Sequence, residues 1–173
     1  MANTYVKIAS VTVGSGGSNT ITFSSIPSTY TDLVIKLSGR STGTSANWTS
    51  INVKPNGSTS SSNRVLYGNG SSVSSYSSSS GTGTVSSWNS SATTTSSTFA
   101  NVEIYIPNYT SSNYKSVYID VGTENNGASA LIALVGFLYE STSSITSLTL
   151  ESTAGEGDFT QYSTAVLYGI SKS

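Results

Sequence analysis

The stretch SSVSSYSSSSGTGTVSSWNSSATTTSSTF, residues 71–99, consists almost wholly of hydroxyl-bearing residues and glycine. Whether it is a linker or part of a folded unit decides how the chain is divided. A flexible linker lacks periodic apolar anchors and often carries proline or charge. This stretch has neither proline nor charge, and it does carry Val73, Tyr76, Val85 and Trp88. Its threonines are β-branched and favour strands. The runs before it, ending near Tyr67, hold too few apolar residues for an independent core. Residues 71–98 therefore read as one or two weak edge strands joined by long exposed loops, with the Ser78–Ser80 tip the most mobile point. Residues 1–173 read as a single β-sandwich domain.

The flanking sequence alternates with period two, always in short runs. In TDLVIKLSG (31–39), Leu33, Ile35 and Leu37 share one face, with Lys36 and Ser38 on the other. FANVEIYIP (99–107) sets Val102, Ile104 and Ile106 against Glu103 and Tyr105, and YKSVYIDVG (114–122) sets Val117, Ile119 and Val121 against Tyr118 and Asp120. TYVKIASVTV (4–13) does the same after a slip of phase between Ile8 and Val11. Side chains alternate across a strand, so each run predicts a half-buried strand. Asn-Gly at 56–57, 69–70 and 126–127 supplies the positive φ of tight turns. Pro27 and Pro107 end strands, because proline cannot donate to a central ladder. The predicted fold is all-β: an antiparallel, jelly-roll-like sandwich of two sheets and about ten strands. ALIALVGFLY (130–139) is too short to span a membrane, which takes roughly twenty residues, and reads as a central strand buried on both faces.

Composition narrows the chemistry. Serine and threonine number 40 and 24 in 173 residues, so hydroxyls replace charge as the source of solubility. Seven basic residues scattered singly cannot form the cationic stripe that nucleic acid or an anionic membrane requires. No cysteine is present, which excludes disulfides and thiol chemistry. No histidine is present either, which removes the usual general base and the commonest metal ligand. No cofactor or metal is expected, and no charged leader followed by a long apolar run is visible. The acid pairs Asp120 with Glu124, and Glu156 with Asp158, are the remaining groups that could cleave a glycoside; as residues of loops and strand ends they read as solvated acids. Eleven tyrosines and two tryptophans are the notable surplus. Trp48, Tyr76, Trp88, Tyr105, Tyr109 and Tyr118 form the expected contact surface, since rigid amphipathic rings bury much area at little entropic cost.

Four strings together, TYVKIASVTV (4–13), ITFSSIPSTYTDLVIKLSGR (21–40), FANVEIYIPNYTSSNYKSV (99–117) and QYSTAVLYGI (161–170), resemble small virion structural proteins of tailed bacteriophages, especially those of cyanobacteria and other aquatic bacteria. The resemblance implies a non-enzymatic particle component, made in the bacterial cytoplasm and displayed on the virion. The leading expectation is a capsid decoration or cement protein that meets the major capsid protein or other virion proteins. It would act as a homo-oligomer, with a trimer favoured. One alternative is a tail-fibre or receptor-binding module stacking Trp48, Trp88 and loop tyrosines on host glycans. Another is a carboxylate-based glycoside-active enzyme.

Overall fold

The strands at Asp32–Gly39, Ala100–Ile106 and Lys115–Gly122 place hydrophobic side chains on alternate positions, and the ladder they form can bury one face without burying the other. The computed structural model describes residues 4–59, 61–79, 87–127 and 130–171; Ser80 and Val85 lie outside the described residues. Among the described residues there are twelve strands and no helix: β1 (Tyr5–Thr12), β2 (Thr20–Phe23), β3 (Asp32–Gly39), β4 (Trp48–Pro55), β5 (Ser61–Gly68), β6 (Val73–Ser78), β7 (Ser87–Ser90), β8 (Ala100–Ile106), β9 (Lys115–Gly122), β10 (Ile132–Tyr139), β11 (Leu148–Ser152) and β12 (Thr164–Ile170). They form two antiparallel sheets. The larger has eight strands in the order β1-β12-β3-β8-β9-β10-β5-β6, and the smaller has four, β2-β11-β4-β7.

The serine-rich stretch is split between the two sheets. β6 pairs with β5 from Val73↔Gly68 to Ser78↔Asn63 and ends the large sheet. β7 pairs with β4 from Ser87↔Ile51 to Ser90↔Trp48 and ends the small one. The loop that follows is held by a single guanidinium. Arg40 Nη1 donates to the carbonyls of Thr95 and Thr98 at 3.0 and 2.9 Å, and Nη2 to those of Ala92 and Thr94 at 3.3 and 3.2 Å. Hydroxyls finish the task locally: Thr94 Oγ1 donates to the Ser91 carbonyl and Thr98 Oγ1 to that of Thr95. A planar fork of five donors suits a ring of carbonyls that no ammonium group could serve equally.

The core lies between the sheets. One row runs straight across six strands of the large sheet, Leu167–Ile35–Ile104–Ile119–Val135–Val65, and all six side chains are buried. Ile21 and Phe23 of β2, Leu148 and Leu150 of β11, and Ile51 and Val53 of β4 face it in the same cluster. The phase slip in the first run is a β-bulge, a register shift between Lys7 and Ala9 opposite β12. At the Asn-Gly turn after β4, Asn56 and Gly57 both have positive φ, 50° and 73°.

Residues 130–139 correct an expectation. β10 is central in the large sheet, between β9 and β5, yet only Ala133, Val135, Phe137 and Tyr139 are buried. Ile132 and Leu134 face solvent on the other side. Burial on both faces needs a third layer, and the two sheets supply only two.

Replacing Arg40 with alanine should lower unfolding free energy by about 2 kcal/mol, the scale of charge-assisted hydrogen bonds lost from part-buried carbonyls. Denaturant unfolding measures the loss, and hydrogen exchange should show the amides of residues 92–98 losing protection before those of the flanking β7 and β8.

Candidate contact surface

The outer face of the large sheet is set by register alone. One row reads Lys7–Tyr168–Val34–Tyr105–Tyr118–Gly136–Arg64–Ser77 across all eight strands. The next reads Ser10–Val166–Lys36–Glu103–Asp120–Leu134–Leu66–Ser75, and a third Thr12–Thr164–Ser38–Asn101–Gly122–Ile132–Gly68–Val73. The halves of this face differ in kind.

On β1, β12, β3 and β8, cross-strand partners satisfy one another. Lys36 and Glu103 form an ion pair, and the Thr12 and Thr164 hydroxyls lie 3.1 Å apart. The Tyr105 hydroxyl donates to Asp32 at 2.9 Å, and Tyr5 meets Tyr168 edge-on at 6.1 Å. Val34, flanked in register by Tyr168 and Tyr105, is fully buried although it points away from the core. Tyrosines roof this half.

On β9, β10, β5 and β6 the roof is missing. Leu66, Val73, Tyr118, Ile132 and Leu134 are between 41 and 75 % exposed. Gly136 sits between Tyr118 and Arg64 in register, and a Cβ added to it meets nothing within 4 Å. The missing side chain leaves a groove of about 520 Å³ floored by Gly136 and walled by Tyr118, Leu134, Leu66, Arg64 and Ser77. Arg64 Nη1 donates to the carbonyl of its neighbour Asn63 at 2.9 Å. Among the described residues no carboxylate pairs with it.

The aromatic residues predicted as contacts are dispersed. Tyr109 is fully buried, its hydroxyl donating to the Pro27 carbonyl, and Trp88 is 7 % exposed; neither offers a ring face to a partner. Both were read from exposed-loop or weak-strand sequence, whose polarity hides the inward turn of one large ring. Trp88 instead closes an aromatic trio with Tyr67 and Tyr76, centroids 6.3 to 6.5 Å apart, that joins β7 of the small sheet to β5 and β6 of the large one. Trp48 is half-buried against the core. Tyr105 is half-buried in the roof described above, and Tyr76 keeps one edge in solvent. Tyr118, alone of the six, lies on the open apolar half. The aliphatic members of that half were not expected, since 130–139 read as buried on both faces; Gly136 in mid-strand is the one signal in the sequence that could have marked the open face.

The loop acids are each engaged by a hydrogen bond. Glu124 accepts the backbone N–H of Asn126 at 2.8 Å, capping its own turn. The Glu156 carboxylate accepts the backbone N–H of Ser50, and Asp158 accepts from Asn19 at 3.3 Å. Asp120 stands mid-strand on the outer face, opposite Glu103 and Leu134. Each of the three loop acids is thus held by a hydrogen bond to the fold, Glu124 within its own turn and Glu156 and Asp158 by amides distant in sequence. Among the described residues no group of three or more Asp, Glu, His or Cys could hold a metal, and no helix is long and apolar enough to cross a membrane. Comparison with protein-family models, with curated proteins and with solved structures finds no match for the chain.

Burial shifts several groups. The Tyr76, Tyr105 and Tyr109 hydroxyls are pushed above the ordinary phenol value, chiefly by desolvation; beyond that, Tyr67 adds at Tyr76 and Asp32 at Tyr105. Lys115 is buried with its ammonium donating to the carbonyls of Ser141 and Ser143 at 3.1 and 2.6 Å, and burial lowers its pKa. For the tyrosines, the unfolded chain releases phenol protons that the fold retains, so stability falls as pH climbs above about 10. For Lys115 the unfolded chain binds the proton more tightly, so stability rises with pH up to the ordinary lysine value and then stops changing. Alkaline unfolding should therefore begin above pH ~10. Phenolate absorbance followed beside circular dichroism should show Tyr109 ionising only as the sheets come apart.

Proposed function

We propose that the chain is a non-enzymatic structural component of a bacteriophage particle, a decoration or cement protein made in the bacterial cytoplasm and carried on the outside of the head. The observation that supports this reading is the unroofed half of the large sheet. In a chain that coats itself elsewhere with hydroxyls, five exposed apolar side chains lie on four adjoining strands. Contiguous apolar surface of this kind marks a place where another protein sits. The resemblance of four sequence strings to small phage virion proteins suggests the setting, with major capsid protein or other virion proteins as partners. The lack of histidine in the sequence and the hydrogen bonds that engage Glu124, Glu156 and Asp158 are the grounds for reading it as a protein that holds rather than reacts.

A decoration protein stabilises a head because it binds the assembled lattice and not the dispersed subunits. Weak single contacts suffice when several copies, or several sites on one oligomer, engage at once. Purified protein should re-bind heads stripped of it and raise the temperature at which they rupture. Heads that neither retain it nor gain stability would overturn the reading.

The groove over Gly136 favours a second reading. Tyr118, Arg64 and the serines of β6 combine a ring face, a guanidinium and hydroxyls, the elements of a sugar site. Protein that ignores heads and binds host envelope polysaccharide, with binding lost in Tyr118→Ala, would put it in place of the first.

A further inference from the structure

We propose that the unroofed face receives a second copy of this chain, the two copies related by a two-fold axis that passes between Leu134 and Gly136. The proposal rests on reading that face as adhesive and gives it a second copy as occupant, so that a particle would be met through other surfaces of the pair. Leu134 is a knob, 41 % exposed, and Gly136 two residues on is a slot into which a side chain can enter freely. Both lie on the same face of the same strand. A two-fold axis parallel to the sheet and perpendicular to β10, placed midway between them, seats each Leu134 over the other copy's Gly136.

The same operation fixes the neighbours. On β10 it sets Ile132 against Leu138, apolar on apolar. On β9 it sets Tyr118 against Asp120, where the phenol can donate to the carboxylate. On β5 it sets Leu66 against the aliphatic stem of Arg64. No like charges meet. The flanking positions on β9 and β5 are Ser116, Gly122, Ser62 and Gly68, small enough to let two sheets approach to the ~10 Å of face-to-face packing. A surface that matches itself under a two-fold rotation is what an isologous pair requires. The exposed apolar side chains amount to roughly 500 Å² per copy, so a pair buries about 1,000 Å², the threshold of a specific interface.

The pairing is therefore reversible and closes at two. That differs from the trimer expected from the resemblance, because knob and slot on one strand leave no free complement for a third copy.

Sedimentation of the full chain across about 1–200 µM should show monomer and dimer in concentration-dependent exchange. Gly136→Leu adds a side chain where space is open, so it should fold as the parent does by circular dichroism and melting temperature. It also adds apolar surface, and general stickiness would make it associate more strongly. The filled slot should instead weaken pairing tenfold or more, and Leu134→Thr should do the same by removing the knob. A chain that stays monomeric, forms trimers, or pairs as before in Gly136→Leu overturns the proposal. The two readings separate cleanly: a dimer that leaves stripped heads alone keeps this inference and removes the particle role, and a monomer that coats heads does the reverse.

Discussion

A four-stranded sheet cannot cover an eight-stranded one, and most of this molecule follows from that mismatch. Backbone hydrogen bonding holds the large sheet together across its full width whether or not its faces are dry. On its inner face, hydrophobic burial comes chiefly from the small sheet lying over it. Beyond that overlap the chain improvises. The trio of Tyr67, Tyr76 and Trp88 seals the β5–β6 end of the inner face, and tyrosines on β12 and β8 shield Val34 on the outer face. A separate constraint acts on the outer face: among the described residues no third layer lies over it, and the outer side of β9, β10, β5 and β6 is left without cover. The hydroxyl-rich edge strands belong to the same economy: threonine and serine fill a ladder that needs no apolar partner at its margins.

The fold was legible because it rests on local pattern. Alternation in 31–39, 99–107 and 114–122 marks β3, β8 and β9, and the phase slip near Ile8 is a real bulge. Turn chemistry is equally local: Asn56, Asn126 and Gly70 adopt the positive φ their Asn-Gly pairs suggested. The stretch at 71–99 was readable as edge strands for the same reason, although its division between two sheets was not, since strand order depends on contacts far apart in sequence.

The contact surface was much less legible. An uninterrupted apolar run such as 130–139 carries no alternation to show which face is wet, so its exposed leucine and isoleucine were read as core. Aromatic residues failed in the opposite direction. A tyrosine among polar neighbours, such as Tyr109 in IPNYTSSN, looks like a loop ornament; only its tertiary partner, the Pro27 carbonyl, shows that it is a buried prop. Asp158 and Glu156 likewise look free in GEGD, yet each is spoken for by an amide from elsewhere in the chain. Local pattern describes strands; the fate of a single side chain belongs to the packing.

The scarcity of charge has a colloidal consequence. With a net charge of −1 and only fifteen charged side chains in 173 residues, identical copies meet almost no mutual repulsion at long range.

 The seven basic and eight acidic side chains are scattered, and Lys36 with Glu103 and Lys54 with Glu151 cancel within the molecule. Dissolved ions therefore have little to screen, and crowding many copies onto a small area costs almost nothing in Coulomb energy. With alcohols in place of ions on its surface, contact between two copies is nearly independent of ionic strength, in brine or in fresh water alike.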